Sequence, residues 1–223
     1  AAQSECSFPV SKTDATGTEV TLDSKPERIV VLQPSDAQLV WEIGAQDRVV
    51  GMPKTQYTSY LDDRSGKTNV KNEDLSVNTE QVVGLQPDVV LASNITDPAT
   101  VRELRRAELT VYHFDQVKSL DEIATNLETV GELVGSCSAG TERANEFRLQ
   151  VETVEQAAEQ ADQRPSVLYY FFGMTAGSDT HIHDVVETAG GDNVATEVGI
   201  SGYGQLSPEV AVDQNPEWIV YPG

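Results

Sequence analysis

Short runs of apolar, often β-branched residues alternate along the chain with segments whose apolar residues recur every three or four positions. In the first half the runs lie at residues 29–32, 48–51, 88–92 and 109–114, and helical patterns cover 36–43, 79–85 and 99–107. Ahead of them, residues 8–22 alternate about a Gly-containing turn, which is typical of a β-hairpin. Strands that alternate with helices form parallel sheets covered by helices, so the pattern predicts an α/β fold.

The C-terminal half repeats part of this plan. Residues 80–91 (EQVVGLQPDVVL) match residues 209–220 (EVAVDQNPEWIV) without a gap. In both copies a polar residue, Thr79 or Ser207, caps a short helix that a proline ends before a buried strand. The strand at 29–32 and the helix at 36–43 are likewise echoed by 167–172 and 182–189. The repeat predicts two related lobes. We expect the C-terminal lobe to be truncated, because the N-terminal lobe continues past its strand at 88–92 with another helix, strand and helix.

Two helical segments separate these lobes. Residues 119–134 begin with a capping box of Ser119 and Glu122. The longer segment, 138–161, would span roughly 35 Å at 1.5 Å per residue and form one stiff connector. We therefore expect an N-terminal lobe at 1–118, connecting helices at 119–164 and a C-terminal lobe at 165–223. Each lobe should contain a mainly parallel central sheet, and one long α-helix should join them.

Composition narrows the possible partners. The net charge is −21, from 36 acidic and 15 basic residues, so nucleic acid is excluded because its phosphates would be repelled. Such a surface fits a halophilic source or an ordinary acidic secreted protein. No run approaches the roughly 18 apolar residues that cross a bilayer. The small residues at the start, AAQ, are of the kind found around signal-peptidase sites, which is compatible with export.

The chain has two cysteines, Cys6 and Cys137. An even count fits one disulfide in an oxidising compartment, although two free thiols fit the sequence equally well. Neither cysteine has a second Cys or His at the spacing of a zinc site.

Four segments together resemble the cobalamin and ferric-siderophore binding proteins of ABC importers: FPV with TDATG (8–10 and 13–17), PERIV (26–30), residues 80–91, and AGGDNV (189–194). The resemblance implies two α/β lobes joined by a long helix, with the ligand in the cleft between them. It also implies an exported, membrane-tethered protein, monomeric apart from the transporter, that delivers its ligand to a dimeric ABC permease. No cofactor of its own is implied; the metal expected is that of the ligand, cobalt in cobalamin or iron in a ferric siderophore.

Glu80 and Glu209 are the residues that the resemblance assigns to permease docking, one on each lobe, against arginine pockets. Their equivalence in the repeat suits a symmetric partner. Alternatively, each glutamate only stabilises the first turn of a helix through the helix dipole.

The ligand site is expected in the loops that follow the carboxyl ends of the strands, as is general for open α/β sheets. Flat rings at Tyr57 and Tyr60 stand where cobalamin binders of the family carry aromatic residues, and they suit a corrin or the apolar face of a siderophore, unless they pack within their loop. The pair Ser93-Asn94 departs from that pattern, because an aromatic residue is expected there. Aromatic residues 169–172 should lie mostly in the core, since alternate side chains of a strand point to opposite faces. The expected ligand-binding residues are Pro34, Ser35, Asp36, Tyr57, Tyr60, Ser93, Asn94, Gly173, Met174 and Tyr203.

The main alternative is a zinc or manganese binding protein of a related importer, because imidazoles and carboxylates cluster at His181, His183, Asp184 and Glu187. However, residues two apart on a helix do not share a face, and His113 is the only other histidine. We therefore expect no metal site of this kind. An enzyme is not expected either, because the chain lacks a Gly-x-Ser-x-Gly elbow, a P-loop and a Gly-x-Gly-x-x-Gly motif after its first strand.

Overall fold

A computed structural model describes residues 6–221. Its strands are β1 (Val10–Thr13), β2 (Glu19–Leu22), β3 (Ile29–Val31), β4 (Val49–Met52), β5 (Thr68–Asn69), β6 (Val89–Ala92), β7 (Val111–His113), β8 (Ser166–Tyr169), β9 (Met174–Ala176), β10 (Asp192–Asn193), β11 (Tyr203–Gln205) and β12 (Trp218–Val220). Its helices are α1 (Pro34–Glu42), α2 (Thr79–Gly84), α3 (Pro98–Arg106), α4 (Leu120–Leu133), α5 (Cys137–Ala158), α6 (His181–Thr188), α7 (Val194–Glu197) and α8 (Pro208–Asp213). Short 3₁₀ turns occupy Gln46–Arg48 and Gln56–Thr58.

The chain divides into two compact units. Unit 1 contains Ala1–Gln116 and Thr125–Ala144, and unit 2 contains Val117–Ala124 and Asn145–Gly223. Helices α4 and α5 therefore each contribute residues to both units. Two helices were expected in this part of the chain, and both are present, whereas the lobe boundaries drawn from the sequence stay a prediction. No helix within residues 6–221 combines the length and the apolar character needed to cross a membrane.

Unit 1 is built on a five-stranded parallel sheet in the order β5-β4-β3-β6-β7. Strands β3 and β6 lie side by side and are buried along their whole length, which is why they read in the sequence as unbroken apolar runs. Val82 of α2 and Leu104 of α3 pack into the same core as Val30 and Val90. The predicted hairpin is also present, as antiparallel strands β1 and β2.

The turn of this hairpin is fixed to unit 1 by Asp14, whose side chain is fully buried. Its carboxylate accepts hydrogen bonds from the backbone N–H groups of Thr16, Thr18 and His113, and it pairs with the guanidinium of Arg105. One carboxylate thus joins the hairpin, helix α3 and strand β7.

Unit 2 contains a parallel sheet in the order β10-β8-β12 and a separate antiparallel pair, β9 with β11. Leu168 of β8 is fully buried and packs with Val194, Leu206 and Ala211. Strand β12 differs from its counterpart β6 because all three of its residues are exposed, with Trp218 at 64%. In unit 1 the strand β7 covers the edge of β6, whereas the described part of unit 2 has no strand beyond β12.

The internal repeat is confirmed in three dimensions. The order β4-β3-β6 in the first sheet corresponds to β10-β8-β12 in the second, and α2 and α8 are both six residues long. One detail of the sequence interpretation was wrong: Asn78, not Thr79, caps α2, by accepting a hydrogen bond from the N–H of Gln81. The gap-free alignment pairs Asn78 with Ser207, which does cap α8, while the Thr79 hydroxyl donates to Glu103.

Close approach of α4 and α5 depends on two glycines. A Cβ atom on Gly140 would lie 2.7 Å from the carbonyl oxygen of Leu127, and one on Gly131 would lie 2.9 Å from the Cα of Gly140. Next to this contact, Cys6 and Cys137 form a disulfide bond that attaches the N-terminal segment to the start of α5. Of the two possibilities that the sequence left open for the cysteines, the structure therefore contains the disulfide.

Candidate functional site

In unit 1 the loops that follow β3 and β6 lie together, because the two strands are parallel neighbours and end at the same edge of the sheet. The loop after β3 leads into α1, whose first three residues are Pro34, Ser35 and Asp36, and the loop after β6 begins with Ser93. The hydroxyl oxygens of Ser35 and Ser93 are 3.4 Å apart. The structure thus brings together four residues that were expected to bind ligand from separate parts of the sequence.

Asp36 is the connection between these two loops. Its side chain is buried, at 1% exposure, and its Oδ2 accepts hydrogen bonds from the N–H of Gln33 at 3.0 Å and from the N–H of Ser93 at 3.2 Å. Its Oδ1 is buried without a hydrogen-bond partner among the described residues. Burial raises the pKa of Asp36 to about 7, and the hydrogen bonds from Gln33 and Ser93 oppose that rise.

Three further polar residues surround this cluster and were not identified from the sequence as site residues. The side-chain amide of Gln33 donates to the hydroxyl of Thr96 at 3.2 Å and accepts from the ammonium of Lys71, also at 3.2 Å. Burial lowers the pKa of Lys71, while the negative charge of Asp36 raises it. Gln33 directly precedes Pro34, in the loop after β3 that was expected to bind ligand. Lys71 follows the two-residue strand β5, for which the sequence has no clear periodic signal.

Exposed side chains also follow strands β4 and β6 of unit 1. Tyr57 and Tyr60 are 59% and 62% exposed, and Ile95, next to the exposed Asn94, is 67% exposed. The hydroxyl of Tyr60 lies 3.4 Å from the side-chain oxygen of Gln38 on α1. Since neither tyrosine ring is buried in the core, the rings are accessible for contact with a ligand, as the sequence interpretation required.

The prediction that the aromatic residues 169–172 lie mostly in the core was wrong for Phe171 and Phe172. Phe171 and Phe172 were expected in the core, but they are 38% and 90% exposed. The strand ends at Tyr169, and the chain then forms a tight turn in which Phe171 and Met174 exchange backbone hydrogen bonds. Both central residues have positive φ, 48° at Phe172 and 81° at Gly173, so the alternation of a strand no longer applies.

Phe172 is unusual in this position. A bulky residue with positive φ is a true outlier, since such turns favour Gly, Asn or Asp, and conformations of this kind concentrate at functional sites. Its ring packs edge-to-face on that of Phe171, with ring centroids 4.6 Å apart. The expected residues Gly173 and Met174 are part of the same turn, so this part of unit 2 presents two aromatic rings that the sequence interpretation had assigned to the interior.

Tyr203 lies on β11, which pairs with β9, and its ring is 45% exposed. Its hydroxyl is 3.4 Å from Nδ1 of His181, and the two ring centroids are 6.5 Å apart. Burial of part of the ring raises the pKa of Tyr203. Tyr203 and His181 therefore form an aromatic pair at the start of α6.

The side chains that suggested a metal site have separate neighbours. His183 lies 3.3 Å from the amide nitrogen of Asn193, with Nδ1 4.0 Å from Glu187, whereas His181 lies beside Tyr203. Asp184 accepts a hydrogen bond from the N–H of Leu120 at 2.6 Å. Within residues 6–221 no three His, Cys, Asp or Glu side chains are grouped so that they could hold a metal ion.

Glu80 and Glu209 occupy the same place in the two units, in the first turns of α2 and α8, and both are exposed. The backbone N–H of Glu209 and the hydroxyl of Ser207 lower the pKa of the Glu209 carboxyl. Neither glutamate has an ion-pair partner in the part of the chain that the structure describes. The two anions are therefore available to an external cation.

The two compact units follow one repeated α/β plan, and aromatic and polar side chains are exposed at the ends of their strands. The chain belongs to the periplasmic binding protein family, whose model matches residues 29–222. It is 44% identical over 219 residues to the cobalamin-binding protein of Halobacterium salinarum, covering 96% of this chain and 59% of that protein. It is also 28% identical to the uncharacterized ABC transporter substrate-binding lipoprotein YvrC of Bacillus subtilis, covering 96% of this chain and 69% of YvrC.

Solved structures support the same fold. The heme binding protein HmuT superposes with a TM-score of 0.81 at 21% identity, over 99% of this chain and 74% of that chain. The periplasmic vitamin B12 binding protein BtuF of Vibrio cholerae superposes with a TM-score of 0.75 at 24% identity, over 88% of this chain and 76% of that chain. At these identities the structures establish the fold but do not identify the ligand of this chain.

Proposed function

We propose that the chain is part of the substrate-binding protein of an ABC importer and that its ligand is a corrinoid, cobalamin. The observation that carries the proposal is the 44% identity, over almost the whole chain, to a protein named for cobalamin binding. The presence of His181 and His183 does not favour a metal-ion cargo, because their side chains have different neighbours.

The exposed rings support a large, flat ligand. Unit 1 exposes Tyr57 and Tyr60 after β4, and unit 2 exposes Phe172 after β8 and Tyr203 on β11. Aromatic rings provide a large contact area and lose little conformational entropy on binding, so a protein that must hold a corrin face can use them without a metal of its own. The cobalt would belong to the cargo, and function would consist of capture and handover without bond chemistry.

Delivery would require docking to a permease. Exposed, unpaired carboxylates at equivalent positions, Glu80 and Glu209, suit arginine side chains on two equivalent permease subunits. The protein would act outside the cytoplasm and be tethered to the membrane, in line with the lipoprotein among its relatives. The net charge of −21 suits a medium of high salt concentration, where a highly solvated acidic surface remains soluble.

Titration calorimetry with cyanocobalamin in concentrated salt tests the ligand, with a ferric hydroxamate and ZnCl₂ as the competing probes. We expect saturable 1:1 binding of cyanocobalamin and no heat from zinc. Binding of the ferric hydroxamate alone would indicate that the ligand is a siderophore. Heat of binding from zinc alone would favour the metal-ion importer.

A variant pair then tests the rings. Replacing Tyr57 and Tyr60 by Ala should weaken cyanocobalamin binding at least about tenfold, since buried aromatic anchors dominate binding energy. The matched control is Leu149→Ala, which removes an equally exposed apolar side chain from α5, a helix that carries none of the expected ligand-binding residues. Equal affinities of the double variant and the control would contradict the role of the tyrosines.

A further inference from the structure

Strands β3 and β6 are held together at each end by a carboxylate that accepts two backbone N–H groups. At their amino ends, Asp88 Oδ2 accepts from Glu27 and Arg28, both at 2.8 Å, and this aspartate is exposed. At their carboxyl ends, Asp36 Oδ2 accepts from Gln33 and Ser93. The two carboxylates make the same kind of contact on the same strands, but the one at the candidate ligand site is buried.

Burial changes the pKa of the Asp36 carboxyl. Burial raises the pKa of Asp36 to about 7. Lys71 is the charged group that interacts electrostatically with it. Gln33 and Ser93, which donate to Oδ2, and Thr96, which contacts Gln33, do not titrate near neutral pH. A change in the protonation of Asp36 therefore falls within the pH range that a binding experiment can cover.

Protonation of this carboxyl has a natural position. Oδ2 already accepts two N–H donors, whereas Oδ1 has no partner among the described residues, so Oδ1 is the oxygen that would take up a proton. The two hydrogen bonds to Oδ2 then change from charge-assisted to neutral, and charge-assisted bonds are roughly twice as strong. Protonation thus loosens the hold on both loops without breaking it outright.

We propose that Asp36 is a positioning residue for ligand capture: in its ionised form it holds the Gln33–Ser35 and Ser93–Asn94 loops in the binding arrangement, and ligand binding drives its proton off. The inference rests on the proposed function, because the ligand must contact these loops. The residue would act through Ser35, Ser93 and Asn94, because its own side chain is buried.

Calorimetry of cyanocobalamin binding between pH 5.5 and 8.5, in buffers of different ionisation enthalpy, tests this mechanism. We expect affinity to be about three- to tenfold lower at pH 5.5 than at pH 8.5, because two charge-assisted hydrogen bonds weaken. We also expect a fraction of one proton to be released per ligand bound near pH 7. Asp36→Asn should bind like the wild type at pH 5.5, with no pH dependence and no proton release.

Two further variants separate positioning from general stability. Asp88→Asn removes the matched carboxylate from the other end of the strands and should leave the pH profile of binding unchanged. Lys71→Gln leaves Asp36 in place but removes the charge that favours its ionised form, so the midpoint of the profile should move to higher pH.

The outcomes are distinguishable. A pH-independent wild-type affinity without proton release would overturn the role of Asp36 and leave the proposed function intact. A pH dependence that persists in Asp36→Asn would show that another group causes it and would equally overturn the inference. Absence of cyanocobalamin binding at every pH would overturn the proposed function, and this inference with it.

Discussion

Gln86 and Asn215 adopt the same left-handed backbone conformation, with φ of 47° and 46°, at equivalent positions of the two units. Each residue follows a six-residue helix and directly precedes a proline, and each donates its N–H to the carbonyl oxygen three residues earlier. The two copies of the repeat therefore end their helices in the same way. They differ in chemistry, because Asn adopts this conformation at a lower energetic cost than Gln.

Replacing Gln86 by Gly should therefore stabilise the protein by about 0.5 to 1 kcal/mol. Glycine removes the strain of a left-handed residue after a helix, and this gain exceeds the entropy that glycine adds to the unfolded chain. Urea denaturation measures the difference. The control is Asn215→Gly, which should change stability by less than about 0.3 kcal/mol, and equal gains at both positions would contradict the argument from side-chain tolerance.

Asp14 should make the protein sensitive to acid. Burial alone would raise its pKa, but hydrogen bonds from Thr16 and Thr18 and the charge of Arg105 outweigh burial, so the pKa is lowered below its usual 3.8. A lowered carboxyl pKa contributes stability that is complete above the unfolded value and is lost as pH falls through the folded value. Melting temperatures between pH 7 and pH 3 should therefore fall more steeply for the wild type than for Asp14→Asn.

The same substitution should destabilise the protein at pH 7 by about 3 kcal/mol, because it leaves the Arg105 guanidinium without its buried partner. Arg105→Lys provides a second variant that keeps the charge but not the forked geometry. Parallel pH profiles for the wild type and Asp14→Asn would show that another carboxylate carries the acid sensitivity.

Asp36 should give the opposite dependence of folding stability on pH. Its pKa is raised to about 7 in the folded state, so the folded protein binds the proton more tightly than the unfolded chain between about pH 4 and pH 7. Stability is then greatest at the acidic end of this window and is lost as pH rises through it. Relative to the wild type, Asp36→Asn should gain roughly 2 to 4 kcal/mol between pH 4 and pH 8, as measured by denaturant unfolding. A constant difference across that range would contradict the raised pKa.

The disulfide should contribute substantially to stability. Cys6 and Cys137 are 131 residues apart in sequence, so the bond closes a very long loop in the unfolded chain. Replacing both cysteines by serine should lower stability by about 2 to 5 kcal/mol. Thermal melts with and without dithiothreitol check this, since reductant should lower the melting temperature of the wild type and leave that of the double variant unchanged.

Replacing Glu80 and Glu209 by Ala should abolish uptake of cyanocobalamin into cells that carry the importer while leaving its affinity for the isolated protein unchanged. The carboxylates are exposed and unpaired within residues 6–221, so they are free to meet permease arginines. Glu155→Ala with Glu159→Ala on α5 and just after it removes the same net charge elsewhere. A matching loss of ligand affinity, or equal uptake by both double variants, would exclude a specific docking role.

Local patterns in the sequence determined the α/β class, the longer strands and helices and the internal repeat, but not the short strands β5, β9, β10 and β11. Buried parallel strands such as β3 and β6 appear as apolar runs of characteristic length, and the glutamate, the proline and the acidic residue of each repeat mark the same helix and strand. The resemblance to solute-binding proteins followed from short segments in order. All of this depends on residues close together in the chain, where periodicity and helix-ending residues act directly.

The tertiary structure decided the features that depend on residues far apart in sequence. Asp36 was a candidate from its place after a strand, but its buried contact with Ser93 and the approach of Lys71 exist only because the sheet places three loops at one edge. The exposure of Phe172 follows from a left-handed turn that interrupts an aromatic run. Burial, pairing and pKa are properties of the environment that the fold assembles around a side chain, and a linear pattern does not contain that environment.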